Sequence, residues 1–360
     1  MQITELSIPS HERVLRCEDA STGLCALIAI HSTVLGPALG GVRMAEYADQ
    51  GAALEDVLRL SAGMTAKAAL ANLPLGGGKA VIMGNPKQDK TPALLAAFGR
   101  HVEALGGRYI AGQDSGLTVA DLNQIATTTR YVVGTDDAVA HGRTRASGDP
   151  SPATALGVLH GIRAAVRQRF GSAQLSGVRV AVQGAGAVGG RLVEHLAAAG
   201  AEVRVCDIDP TRVEPLTDLP NVSAIALADW QTAEVDVLAP CALGGAIRED
   251  CVAALRAAIV AGAANNQLAT LGAGAGLHQR GILYAPDFVI NAGGLIHLKR
   301  RSDGADDAAV LERLTTIDPT LTIIFERSSD ENQAPSAIAD QLAAARVRQG
   351  AFRLQRRQAA

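Results

Sequence analysis

Residues 178–189 read Val178-Arg179-Val180-Ala181-Val182-Gln183-Gly184-Ala185-Gly186-Ala187-Val188-Gly189, and this stretch decides the fold. Its first half is a mostly apolar run of strand length, and its second half is a Gly-x-Gly-x-x-Gly turn. Residues 187–199 then carry a helical pattern that Gly200 stops. A second strand at 202–206 ends in Asp207, eighteen positions beyond Gly189. Glycines at such a turn let the backbone approach a pyrophosphate, and the helix N-terminus favours its negative charge. A carboxylate after the second strand accepts the ribose hydroxyls. With strand, helix and acid in register, residues 184–189 and Asp207 are expected to seat a dinucleotide. Asp207 and Asp209 would repel a 2′-phosphate, which Arg204 and Arg212 soften only slightly, so NAD is expected rather than NADP.

Outward from this turn the pattern is a regular alternation of strands and helices. Strands are expected at 178–183, 202–206, 223–226, 235–238, 257–261 and 288–290, in a parallel, doubly wound sheet. Upstream, Ser151-Pro152 reads as the cap and first residue of a helix running to about Phe170. The segment 135–152, rich in Gly, Ser, Asp and Pro, marks a domain boundary. Before it the chain predicts a hairpin around Thr22-Gly23, a helix over 51–67, a strand at 80–83, a helix over 92–105 stopped by Gly106-Gly107, and a strand at 108–111. The fold class is therefore α/β in two domains, a mixed-sheet domain at 1–135 and a Rossmann-type domain at 150–330. A C-terminal helix at 336–360 is expected to pack back on the first domain.

The chain has 360 residues, a length at which two cores are the default. Its net charge of −3 gives no electrostatic footprint for a polyanion, and aromatics at 3% leave few platforms for stacking bases. No nucleic-acid partner is expected; Arg346, Arg348, Arg353, Arg356 and Arg357 read as the solvated face of a terminal helix. The five cysteines form no C-x-x-C pair, so neither a disulfide framework nor a metal site is expected. Without a basic, apolar leader or a membrane-length apolar run, a cytoplasmic protein with no membrane partner is expected.

A second constellation lies in the first domain, where Leu73-Pro74-Leu75-Gly76-Gly77-Gly78-Lys79 follows Lys67 by a few positions. It is no phosphate loop, because Leu73 stands where the first glycine should be and Ala80 where Ser or Thr should hold magnesium. The glycines read as a loop too bare to shield Lys79. Lys67 continues the face of Leu60 and Met64 and should project from the buried side of its helix. Each feature has a plain alternative: an exposed loop lysine, a snorkelling helix lysine, an Asp114 that only caps a turn. Together they could form a site in which one lysine fixes a carboxylate and the other does chemistry. Two ammonium groups brought close would lower each other's pKa, toward the range where a lysine works as a base.

With these residues in view, the chain resembles the amino acid dehydrogenases acting on leucine, valine, phenylalanine, tryptophan and, more distantly, glutamate. The likeness runs from about residue 10 to 298. It is carried by Gly36-Pro37-Ala38-Leu39-Gly40-Gly41, Gly63-Met64-Thr65-Ala66-Lys67, the 76–79 segment, Asp149-Pro150-Ser151-Pro152, Ala239-Pro240-Cys241-Ala242, Ala261-Gly262-Ala263-Ala264-Asn265-Asn266 and Asn291-Ala292-Gly293-Gly294. The resemblance implies that Lys79 is the catalytic base, Asp114 its partner in moving the amino-group proton, and Lys67 the anchor of the substrate carboxylate. It places Leu39, Gly40, Met64, Gly112, Asn266, Leu295 and Leu298 around the substrate. Thr154, Ala239, Cys241 and Asn266 would line the cofactor with the 184–189 turn.

The first domain would then bind substrate and build a homo-oligomer. The reaction implied is reversible oxidative deamination of an L-amino acid to a 2-oxo acid and ammonia, in a cleft that closes against water. The glutamate-specific relatives carry a lysine at the position of Leu39, so an apolar substrate is expected. Leu39 and Gly116 favour leucine or valine, whereas Gly112 leaves room for an aromatic ring. Three departures stand out: Ala66 replaces a larger residue, Ser115 replaces a usual valine after the aspartate, and the run after Leu298 leaves the family pattern. Readings of another class are a Schiff-base lyase using Lys79 and a non-catalytic NAD-binding regulator.

Overall fold

The computed structural model describes residues 1–136 and 148–358; the 137–147 part of the expected boundary segment lies outside the described residues. The chain forms two compact units. One comprises Met1–Asp149, His297–Asp306 and Ala343–Ala360; the other comprises Pro150–Ile296 and Asp307–Leu342.

The first unit is built on strands β1 (Gln2–Leu6), β2 (Arg13–Asp19), β3 (Leu24–Ser32) and β4 (Ala38–Ala45), helix α1 (Gln50–Leu70), strand β5 (Gly76–Met83), helix α2 (Pro92–Ala104), strand β6 (Tyr109–Gln113) and helix α3 (Val119–Ala126). Its six strands form one mixed sheet in the order β1-β2-β3-β5-β4-β6. β5 runs antiparallel to β3, while β4 runs parallel to both β5 and β6. Strand alternation sends Ala38, Val42, Met44, Ala80, Ile82, Tyr109 and Ala111 into one core with Phe98 of α2 and Leu122 and Ile125 of α3. The opposite face buries Val14, Leu27, Ala29 and Val81 against Ala53 and Val57 of α1.

The 76–79 segment is not a loop. It is the start of β5, paired on both sides in the middle of the sheet. Its glycines answer close packing, not loop freedom. A Cβ on Gly76 would fall 1.9 Å from the Ser32 carbonyl oxygen, one on Gly77 2.1 Å from Thr65 N of α1, and one on Gly78 2.8 Å from the Tyr109 ring. The buried stripe of α1 also differs from the expected face: it runs through Ala53, Val57, Leu60, Ser61, Thr65 and Ala68. Small residues are what a glycine strand admits, and Met64 and Lys67 flank the stripe half-buried.

The second unit opens with α4 (Ser151–Phe170). Its first helical residue is Ser151, with Pro150 at the cap position, one residue earlier than the sequence suggested. The chain continues through β7 (Arg179–Gln183), α5 (Gly189–Ala198), β8 (Glu202–Cys206), β9 (Val222–Ala224), β10 (Val237–Pro240), α6 (Glu249–Val252), β11 (Ile259–Val260), α7 (Leu271–Gln279) and β12 (Leu283–Tyr284). Helices α8 (Asp287–Ile290), α9 (Gly293–Ser302), α10 (Asp307–Leu314), α11 (Ile317–Glu331) and α12 (Pro335–Gln358) follow, the last residues of α9 and of α12 belonging to the first unit. The sheet is parallel throughout, in the order β12-β11-β10-β7-β8-β9. The expected strand at 288–290 is instead α8, and the edge strand is β12. Pro286 at the cap position of α8 ends the extended run, and Ile290 packs against Gly161 of α4 as a helix residue. Strand order reverses at β7, so the turn that follows it opens at the switch point of a doubly wound sheet.

Candidate functional site

In the first unit, parity and register bring the chemistry to one face of the sheet. Leu39 pairs with Gly77 and with Ile110, and Gly41 pairs with Gly112, so Leu39, Gly41, Gly77, Lys79, Ile110, Gly112 and Asp114 share that face. Lys79 is 6% exposed. Its Nζ forms an ion pair with Asp114 Oδ2. Gly41 stands between them on β4: a Cβ there would lie 2.7 Å from Asp114 Cβ and 3.2 Å from Lys79 Nζ. Behind the sheet, the fully buried Tyr109 donates its hydroxyl to the Gly40 carbonyl at 2.8 Å and holds the strand that carries Gly41. Lys67 stays on α1, whose Thr65 meets Gly77, two residues before Lys79.

The immediate partner of Lys79 is thus a carboxylate. Burial pushes the Asp114 carboxyl up, but the charges of Lys79 and Arg43 outweigh it and hold it below the usual carboxylate range. Arg43 is a member of the site that the sequence reading missed. Its Nε lies 3.4 Å from Asp114 Oδ2, and its Nη1 donates to Asp56 Oδ2 of α1 at 2.8 Å. Tyr47 donates its hydroxyl to the same Asp56 oxygen at 2.9 Å. The signal was present: Arg43 follows Leu39 and Gly41 at the strand period of two.

An apolar cavity of about 760 Å³ opens beside Leu39. Ile110, Val133, Leu75, Tyr131 and Thr135 line it with Leu39, as do Lys299 and Ser302. Gly112 has Val133 Cγ2 3.7 Å from where its Cβ would be. Leu298 is buried in this unit, whereas Leu295 is buried in the other.

In the second unit, each glycine of the 184–189 turn has a separate task. Gly184 takes φ +97°, a conformation that side chains rarely adopt, and donates its N–H to the Cys206 carbonyl at 2.7 Å. A Cβ on Gly189 would fall 1.8 Å from the Gly184 carbonyl oxygen, so α5 can start this close to β7 only there. Gly186 faces open space, with Arg212 Nη1 the nearest group, 3.8 Å from where a Cβ would be. That bare backbone at the N-terminus of α5 fits a pyrophosphate. Asp207 closes the turn: one carboxylate oxygen accepts from Ala185 N at 2.7 Å and the other from Asp209 N at 2.9 Å. Ala187 is exposed and Val188 half-buried.

Ala239 is buried in β10, and Cys241 donates its backbone N–H to the Gln183 carbonyl at 2.7 Å, beside the turn. Burial pushes the Cys241 thiol up to about 12, away from the range of a nucleophile. Thr154 sits in the first turn of α4 and donates its hydroxyl to Pro150 O at 3.0 Å. Asn266 is held at φ +51°, its carbonyl accepting from Gly245 N at 2.7 Å. Two further residues brace its loop. Buried Gln267 donates through Nε2 to the Gly262 carbonyl at 2.7 Å, and Asn291 Nδ2 donates to Ala263 O at 3.0 Å and to Asn265 Oδ1 at 2.9 Å. Gln267 follows Asn265-Asn266 as a third polar residue, and nothing in that run singles it out.

Comparison with known proteins agrees with this geometry. Residues 11–134 match the family described as the Glu/Leu/Phe/Val dehydrogenase dimerisation domain, and residues 204–300 match Glutamate/Leucine/Phenylalanine/Valine dehydrogenase. The chain is 45% identical over 340 residues to valine dehydrogenase of Streptomyces virginiae, covering 94% of each chain. It is 43% identical over 337 residues to leucine dehydrogenase of Geobacillus stearothermophilus, covering 94% of this chain and 90% of that one. The crystal structure of L-tryptophan dehydrogenase from Nostoc punctiforme matches with a TM-score of 0.81 at 42% identity, covering 95% of this chain and 96% of that one. A buried lysine–aspartate pair on a glycine floor, a dinucleotide turn at a switch point and these likenesses converge: the chain belongs to the Glu/Leu/Phe/Val dehydrogenase family of amino acid dehydrogenases.

Proposed function

We propose that this enzyme catalyses the NAD-dependent, reversible oxidative deamination of an apolar L-amino acid, leucine first. L-amino acid, NAD⁺ and water give the 2-oxo acid, ammonium, NADH and a proton. The observation that carries the reading is the Lys79–Asp114 pair, buried on a face whose next side chain along β4 is the apolar Leu39. Lys67 anchors the substrate carboxylate, Asp114 takes a proton from the substrate ammonium and returns one to the departing ammonia, and Lys79, after giving up its own proton to solvent, takes the proton of the water that adds to the imine carbon. NAD, held by residues 184–189 and Asp207, supplies the hydride acceptor when bound. Thr154, Ala239, Cys241 and Asn266 would line its site. Asp207 and Asp209 next to the turn disfavour the extra phosphate of NADP.

A carboxylate side chain next to Leu39 would lose its hydration without gaining a free counter-charge, which costs several kcal/mol. The cations Lys299 and Arg130 on the cavity wall are already paired with Asp303 and Glu103. Glutamate is therefore rejected. A second reading, an aromatic amino acid, is favoured by the cavity beside Leu39 and by the bare Gly112. One methyl in such a pocket is worth about 1–3 kcal/mol, so the preference is graded. The first unit carries the substrate site and the homo-oligomer contacts, and the five free cysteines suit a cytoplasmic enzyme. The deciding measurement is kcat/KM for leucine, valine, phenylalanine, tryptophan and glutamate with NAD⁺, repeated with NADP⁺. Leucine is expected first. A higher value for phenylalanine or tryptophan overturns the branched-chain reading, preference for glutamate overturns the pocket argument, and preference for NADP⁺ overturns the role of Asp207.

A further inference from the structure

We propose that Arg43 is a positioning residue, which holds Asp114 in place as a carboxylate while Asp56 keeps the guanidinium from claiming it outright. The inference rests on Asp114 being the proton carrier of the reaction proposed above. Leu39, Gly41 and Arg43 alternate onto one face of β4, and the missing side chain at Gly41 leaves the space that Asp114 and Lys79 fill. Asp114 lies between two cations, Lys79 from β5 and Arg43 from β4. Tyr109, on its own strand, is a further titratable neighbour. From α1, Lys67 stands two positions beyond the Thr65 that meets Gly77, and Asp56 reaches Asp114 through Arg43.

A guanidinium free to turn would grip a carboxylate with two parallel N–H bonds and occupy both oxygens. Here Nη1 donates to Asp56, whose side chain is 15% exposed, and the nearest guanidinium nitrogen to Asp114 is Nε, 3.4 Å from Oδ2 and without a hydrogen bond to it. Tyr47 and Arg59 hold Asp56 in turn. Asp114 thereby keeps a fixed orientation and an oxygen for the amino group, which a doubly gripped carboxylate would not offer. The pairing also supplies positive charge where the buried carboxyl would otherwise take up a proton.

The test uses Arg43→Met, Arg43→Lys and Asp56→Asn. In Arg43→Met, loss of the cation should move the acid limb of kcat/KM upward by about one pH unit and lower kcat at least about tenfold. Arg43→Lys should restore the limb while leaving kcat reduced, since a lysine brings the charge without the fork. Asp56→Asn removes a negative charge and should move the limb the other way, downward, while kcat still falls. A structural role alone would not give shifts of opposite sign. An unmoved limb in Arg43→Met overturns the proposal, as do shifts of the same sign in Arg43→Met and Asp56→Asn. If Arg43→Met does not fold, the sign in Asp56→Asn decides.

Thermal unfolding of the cofactor-free proteins against pH is the second readout. Below the unfolded value of about 4, the acid loss of stability that Asp114 contributes should be smaller and end at higher pH in Arg43→Met, and larger and reach to lower pH in Asp56→Asn, and equal profiles overturn the proposal. A wild type that oxidises no amino acid sinks the proposed reaction, whereas an active wild type with unmoved limbs sinks only the role of Arg43.

Discussion

At the scale of single residues, Gly41 shows how little space the chemistry leaves. One added methyl would overlap Asp114 Cβ and the Gln113 carbonyl oxygen, which the end of β6 holds in place, and would push Lys79 Nζ, the movable end of its side chain, away from its partner. Gly41→Ala should therefore fold, with its cost concentrated in the pair. We expect kcat/KM to fall by about two orders of magnitude, the order that a displacement of about 1 Å can cost an aligned site. NADH affinity should be unchanged, because the dinucleotide turn lies in the other unit. Wild-type kcat/KM in Gly41→Ala would show that the pair tolerates displacement and would remove its claim to be the reacting centre.

At the scale of elements, β5 depends on its neighbours to exist. Glycine disfavours strands, and three in a row give a segment with little intrinsic preference. Order comes from β3 and β4 pairing on either side and from α1 and Tyr109 closing on the bare backbone. Gly77→Ala places a methyl against Thr65 N and Oγ1 and Ser61 O, all on α1. Backbone cannot swing aside as a side chain can, so α1 must shift, at a cost of about 1–3 kcal/mol or more. The unfolding midpoint should drop by several degrees, and an unchanged midpoint would contradict the packing described.

This is also where legibility from sequence stopped. The helix at 50–70, the hairpin through Gly23 and the β7–turn–α5–β8 unit follow from local periodicity and glycine placement, which a linear reading sees. Chain-distant packing is what it does not see. The glycines read as a loop because nothing local announces that α1 and Tyr109 lie against them. The run at 288–290 read as a strand because a short apolar segment looks alike in either state until Pro286 and Gly161 decide it. In the candidate site, Lys79, Asp114 and Asp207 were legible from resemblance and spacing. Arg43 was half legible: the strand period puts it on the face of Leu39 and Gly41, but its partner Asp114 lies 71 positions away.

At the scale of the whole molecule, stability should decline in two stages on acidification. Burial lowers the affinity of His11 and His31 for a proton, so the unfolded chain protonates first and stability begins to fall near pH 6.5. The second stage belongs to carboxylates. Asp114 and Asp121 are held below the usual range by Lys79, Arg43 and Lys90 against the opposing effect of burial, and Asp236 by its bond from Arg179. Their contribution is complete above the unfolded value of about 4 and disappears as pH falls through the lower folded values. The unfolding midpoint measured from pH 8 to 3 should fall modestly near 6.5 and steeply below about 4; a midpoint that rises between pH 7 and 5 would reverse the assignment of the histidines.

The two units are interleaved along the chain, and that has a consequence for synthesis. Residues 343–360 belong with the first 149, yet they leave the ribosome after every part of the second unit has been made. Arg346 donates to the carbonyls of Ala69 and Leu70 at 2.8 and 2.9 Å, closing the end of α1 one turn from Lys67. The unit whose strands are translated first is thus completed only after the other has been made, and the Lys67 end of its candidate site is finished only when α12 arrives.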